Sequence, residues 1–219
     1  MQNYENYKKY LESVSIYNSK AEKDTSILLL EEGKYSPLEI AKSLNISPEP
    51  SNNLEAIAMI FMSRKKSIGE GIETTIKCPY CNHKDFYFFN IDNLFFKDSD
   101  TISEEVPVKL INDIEDIDDE FINNISLEEL SYYEDIIISN NKKIFDNNIE
   151  VTCNNCKEKF KTSINYEKII SKFSIKNIYE QYLDLSTLGN MSKRDIDEMP
   201  PYEREIFLGI IQERENKQN

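Results

Sequence analysis

The sequence predicts an α+β chain, mostly helical, with two short antiparallel β-hairpins held apart by a long insertion. Two observations predict it. The four cysteines fall into two Cys-x-x-Cys pairs, Cys78-Pro79-Tyr80-Cys81 and Cys153-Asn154-Asn155-Cys156, each flanked by β-branched and aromatic residues. Outside these stretches, apolar residues recur at helical spacing behind recognisable caps. Two residues between thiolates let a tight turn aim both sulfurs at one tetrahedral ion, so two such turns complete a four-sulfur shell. The expected fold is therefore a helical chain carrying a small antiparallel β zinc ribbon split by a long insertion. One structural Zn2+ per chain is held by Cys78, Cys81, Cys153 and Cys156.

In chain order, Tyr4, Tyr7, Tyr10 and Leu11 mark one face of a first helix. Ser36-Pro37-Leu38-Glu39 is a capping box: serine at the cap, proline at the first helical position and glutamate at the third. It opens a short helix that carries Ile40, Ala41 and Leu44. Ser47-Pro48-Glu49-Pro50 reads as a linker, because proline disfavours helix in the residue before it. Asn53 is expected to cap a helix through Leu54, Ile57, Ala58, Ile60, Phe61 and Met62, ending at Arg64-Lys65-Lys66 before Gly69. Positive side chains there suit the negative end of the helix dipole. These elements form a helical N-terminal region, 1–70.

Ile72 to Lys77 and Asp85 to Ile91 frame the first cysteine turn, and Ile149 to Thr152 and Phe160 to Ile164 the second. Each set reads as a hairpin with the cysteines at its turn, which assigns the ribbon to 71–97 and 148–165. About 71 residues separate the two turns, and the entropy of closing so long a loop grows only logarithmically with length. Residues 98–147 form an acidic insertion. Asp98 to Glu105 reads as a polar loop, and Val106 to Ile111 as an edge strand because of Pro107. Ser126-Leu127-Glu128-Glu129 is a second capping box, opening a helix through Leu130, Tyr133, Ile136 and Ile137.

The last region, 166–219, reads as helices over Tyr166–Phe173 and Ile175–Leu185, then a short turn capped by Ser192. A final helix starts at Pro201 with Glu203 in its first turn and Tyr202, Ile206, Phe207, Ile210 and Ile211 on one face.

Composition narrows the function. The chain has 219 residues and a net charge of −14. An acidic chain is repelled by nucleic acid unless positive charge is concentrated locally. Lys142, Lys143, Lys157, Lys159, Lys161, Lys168, Lys172 and Lys176 supply a local excess of about four positive charges near the second cysteine pair. No apolar run approaches the roughly 18 residues that span a bilayer, so no membrane crossing is expected. Met1-Gln2-Asn3-Tyr4-Glu5 opens into polar, helix-like sequence without a secretory signal, which argues against disulfides. Strands rather than a helix start flank the cysteine pairs, which argues against a redox dithiol. His83 is the one histidine and reads as a turn residue, since four thiolates already fill the shell. No phosphate loop, nucleophile elbow or histidine–glutamate metal signature is present. The sequence therefore predicts no enzyme, no catalytic residue and no small-molecule substrate.

The segment Ile196 to Ile211, Ile-Asp-Glu-Met-Pro-Pro-Tyr-Glu-Arg-Glu-Ile-Phe-Leu-Gly-Ile-Ile, resembles the end of small tail and baseplate assembly proteins of contractile-tailed phages. The run Arg64-Lys65-Lys66-Ser67-Ile68-Gly69-Glu70, just ahead of a Cys-x-x-Cys, is similar to the baseplate hub assembly chaperones of T-even-type bacteriophages. The resemblance implies a non-enzymatic protein that helps build the hub, as a chaperone or minor structural component. Its partners would be baseplate hub or tail structural proteins. It would act in the host cytoplasm during assembly, with the virion baseplate as a further location. Pro201, Tyr202, Arg204, Ile206, Phe207 and Ile210 are the candidate partner-binding residues. The alternative is a zinc-ribbon protein associated with transcription or binding nucleic acid through its local lysines.

Overall fold

The computed structural model describes residues 4–30, 34–97, 101–103, 108–111, 126–172 and 174–218. They are mostly helical, with two separate two-stranded antiparallel sheets. The chain divides into two compact units, one formed by 1–13 and 70–165, the other by 14–69 and 166–219. The first helix, grouped from sequence with the N-terminal helical region, thus belongs with the hairpins.

The first unit contains α1 (Tyr4–Glu12), β1 (Gly71–Lys77), β2 (Lys84–Asn90), α5 (Leu127–Ile144), β3 (Asn148–Thr152) and β4 (Lys159–Ser163). α1 buries Tyr7 and Leu11, two of the residues on its expected face. β1 pairs with β2 from Gly71↔Asn90 to Lys77↔Lys84. β3 pairs with β4 from Asn148↔Ser163 to Thr152↔Lys159. Ser126 caps α5 in the expected capping box, with Glu129 reaching back to its backbone.

Residues 108–111 depart from the expected edge strand. They form no strand, and Val108, Leu110 and Ile111 are buried. Side chains take up their backbone groups in place of a ladder. The Leu110 amide donates to the Tyr7 hydroxyl at 3.0 Å, and Asn141 binds both the amide (3.0 Å) and the carbonyl (2.6 Å) of Ile111. The adjacent Asn140 holds Ser103 in the same two-ended way, at 3.1 and 2.8 Å. Val106 and Pro107, and most of the expected polar loop and acidic stretch, lie outside the described residues.

The second unit contains α2 (Ser19–Leu28), α3 (Pro37–Ser43), α4 (Asn53–Ile68), α6 (Ile175–Thr187), α7 (Lys193–Glu198) and α8 (Pro201–Gln218). α4 is its centre, with Ala56, Ala58, Met59, Ile60 and Phe61 fully buried. Its cap is Asn52, whose side chain accepts from the Glu55 amide at 2.9 Å. Asn53, the cap expected from sequence, is instead the first helical residue. A cap must reach the amide three residues on, and Asn52 has that spacing to Glu55.

The polar residues late in α4 are also buried and partnered. Ser63 donates to the Ser15 carbonyl at 2.6 Å, and Arg64 donates to the carbonyls of Ile169 and Gly69. The Tyr17 hydroxyl donates to the Ile170 carbonyl at 2.6 Å. These bonds explain why Tyr166–Phe173 is not the expected helix. A single 3-10 turn, Tyr166–Ile169, is followed by irregular backbone whose carbonyls are taken by Arg64 and Tyr17. Phe173 lies outside the described residues.

α2 has no counterpart in the sequence reading. Its buried residues are Ser19, Ala21, Glu22, Lys23 and Thr25, so its inward face carries almost no apolar signal. Glu22 forms an ion pair with Arg204 of α8 at 2.7 Å, and neither side chain has any exposure. Arg204 also donates to Gln181 of α6 at 2.8 Å. Burial raises the Glu22 carboxyl above its usual range, and the Arg204 charge opposes that rise. Beside it, Lys23 pairs with Asp197 at 3.3 Å and lies over the Tyr182 ring.

Candidate metal centre

Both cysteine pairs occupy hairpin turns of the first unit, and the two turns repeat one geometry. The Cys78 amide donates to the His83 carbonyl at 2.8 Å, and the Asn82 amide to the Cys78 carbonyl at 3.0 Å. The Cys153 amide donates to the Glu158 carbonyl at 3.0 Å, and the Lys157 amide to the Cys153 carbonyl at 3.0 Å. Asn82 and Lys157, each one residue past the second cysteine of its pair, adopt φ of 59° and 63°. This left-handed turn bends the backbone back around the sulfurs. Asparagine tolerates it, whereas lysine is strained there.

The four sulfurs converge. All lie within 4.8 Å of one another, with Cys78 Sγ 3.6 Å from Cys156 Sγ and Cys81 Sγ 3.6 Å from Cys153 Sγ. A disulfide needs about 2.05 Å, so neither pair is bonded. Around an ion with ligand bonds of about 2.3 Å, the sulfur–sulfur edge of a regular tetrahedron is about 3.8 Å. The cluster fits a metal ion held by four sulfurs, and the fit crosses the hairpins: each 3.6 Å contact joins one pair to the other.

Packing supports that convergence. Cys78 and Cys153 are buried with Val151 and Phe160, and Ile76, Tyr87, Phe89 and Ile149 close around them. The Tyr87 hydroxyl donates to the Thr152 carbonyl at 3.0 Å, and the Asn154 side chain donates to Asp85. The Tyr80 and Phe160 rings meet edge to face at 6.5 Å. Hydrophobic and polar contacts, rather than a shared sheet, thus join one hairpin to the other.

Backbone amides prepare the sulfurs for negative charge. The His83 amide, helped by the Asn155 side chain and the neighbouring thiols, lowers the Cys81 thiol to about 6. The equivalent Glu158 amide acts in the same sense on Cys156. Desolvation and the three neighbouring sulfurs outweigh it, and the Cys156 thiol is pushed up to about 12. Four thiolates this close repel one another, and a bound cation relieves that repulsion.

Cys-x-x-Cys spacing marks the four cysteines but not their supports. Tyr87, Asp85, Asn154 and the left-handed positions 82 and 157 emerge only from the structure. Their one sequence signal is position, since Asn82 and Lys157 stand at equal offsets from their pairs. The His83 side chain is exposed and outside the sulfur cluster.

The residues expected to bind partners divide in two. Ile206, Phe207 and Ile210 are 57%, 41% and 40% exposed, with Tyr202 half-buried beside them. Pro201 and Arg204 face inward instead, with Leu208 packed against Leu185, Ile196 and Met199. Arg204 is consumed by Glu22 and Gln181 and offers nothing to a partner. No helix among the described residues is long and apolar enough to cross a membrane.

Comparison with protein-family models, curated proteins and solved structures finds no match.

Proposed function

We propose that this chain is a non-enzymatic assembly protein of the baseplate hub of a contractile-tailed phage, built around one structural Zn2+. The closed sulfur cage carries the reading. Four cysteine ligands leave no open coordination position, so an ion there holds backbone together and performs no chemistry. The staple joins hairpins far apart in sequence and makes a rigid mount, while the exposed stripe of α8 supplies an apolar docking face. The hub assignment rests on the resemblance of Ile196–Ile211 and Arg64–Glu70. It would place the protein in the host cytoplasm during assembly.

Two measurements test it. Metal analysis should find one zinc per chain. Co-expression with hub proteins from the same phage should yield a stable complex that is lost in Ile206→Asp. Absence of zinc refutes the staple, and failure to bind any hub or tail protein refutes the assignment.

A second reading has one observation in its favour. The outward face of the first hairpin carries Lys77, Lys84, Phe86 and Phe88, and the two rings are 82% and 68% exposed. Lysines beside open rings suit single-stranded nucleic acid, whose bases stack on aromatic side chains. Binding that weakens steeply with added salt would support it, and no binding at low salt would remove it.

A further inference from the structure

We infer that the exposed face of α8 packs antiparallel against the same face of a second copy of this chain, about a two-fold axis passing between Leu208 and Gly209. The inference rests on reading α8 as a docking face and names an occupant for it.

Two observations select a second copy. The first is the face itself. Ile206, Phe207 and Ile210 stand at helical spacing and are exposed. Phe207 and Ile210 also border a groove of about 560 Å³, shared with Leu188, Met191 and Ile211.

The second is charge. Glu203 and Arg214 bracket the apolar stripe, and steps of three and four residues put them on its face. An antiparallel two-fold between positions 208 and 209 sets Phe207 against Ile210 and Ile206 against Ile211 of the second copy. It also sets Glu203 against Arg214, twice over, because a two-fold repeats every contact. A parallel pair would set Glu203 against Glu203 and Arg214 against Arg214. The charge order therefore chooses the direction as well as the partner. Glu203 accepts a hydrogen bond from the Tyr202 hydroxyl at 3.2 Å, and Arg214 is exposed.

Sedimentation of the full chain over a wide concentration range tests the inference. The expected result is a shift from one chain to two as concentration rises. Glu203→Arg and Arg214→Glu should each weaken the dimer by roughly tenfold or more, since each brings like charges together twice. The double reversal should restore it to near the starting strength. Ile210→Asp, at an exposed position of that face, should abolish the dimer while leaving the helical content unchanged. A chain that stays monomeric at every concentration overturns the inference. So does a dimer indifferent to both reversals, or one that tolerates Ile210→Asp. Binding of a hub protein by a strictly monomeric chain would leave the proposed function standing and remove only the second copy.

Discussion

Removing the ion from the sulfur cluster should unfold the hairpin unit and spare the helices of the other unit. The magnitude follows from the loop the staple closes. Cys81 and Cys153 are 72 residues apart in the chain, and linking two points across such a loop removes about 4 kcal/mol of denatured-state entropy at 25 °C. That is a large share of a total stability of roughly 5–15 kcal/mol. The loss exceeds it if the unfolded chain releases the ion, since structural zinc contributes about 10–16 kcal/mol of apparent binding energy in small zinc folds. The hairpin core has little to set against this: Val151, Phe160 and two of the cysteines are its buried members.

The assay is hydrogen exchange with and without a strong chelator, read segment by segment, with metal release measured in parallel. Protection in Gly71–Asn90 and Asn148–Ser163 should collapse as one zinc per chain is released. Protection in Asn53–Ile68, whose packing uses no cysteine, should persist. Full protection of both hairpins in verified metal-free protein would refute the reasoning. The four sulfurs would then be held by packing alone.

Three further predictions rest on particular residues. Lys157→Gly should stabilise the hairpin unit by about 1 kcal/mol by relieving the left-handed strain at φ 63°, seen as a rise in denaturant midpoint; a fall would mean that the lysine side chain matters more than its backbone. Arg204→Met should cost about 3–5 kcal/mol near neutral pH, because it leaves Glu22 charged and buried without its partner. The sign with pH follows from the raised Glu22 pKa: the deficit should grow as pH rises through the folded value and shrink below it, where a protonated Glu22 needs no opposite charge. Urea titrations from acidic to neutral pH check this, and a pH-independent deficit would contradict it. Asn52→Ala should destabilise by about 1 kcal/mol and Asn53→Ala far less, with equal effects ruling out Asn52 as the cap of α4.

The four cysteines of the cluster were legible because their signal is local. Cys-x-x-Cys spacing, flanking strand formers and the use of every cysteine in two matched pairs do not depend on the rest of the fold. The capping boxes at Ser36 and Ser126 were legible for the same reason, since cap and third residue are neighbours in sequence. α2 was not, because its inward face is mostly serine, glutamate, lysine and threonine, and its two charged residues pair with Arg204 and Asp197, more than a hundred positions away. The apolar stripe of α8 was visible as a stripe, but periodicity does not say which face turns inward.

By itself, then, the sequence determined the two cysteine turns, the two hairpins and the capping boxes at Ser36 and Ser126, because each is written in residues a few positions apart. Tertiary structure decided that Arg204 points inward while Ile206, Phe207 and Ile210 point out. It also decided that 108–111 is pinned by side chains rather than paired as a strand. The physical reason is the same in both cases. A buried charge or an unpaired amide takes the partner that space brings to it, and Glu22, Tyr7 and Asn141 reach their partners only once the chain has folded.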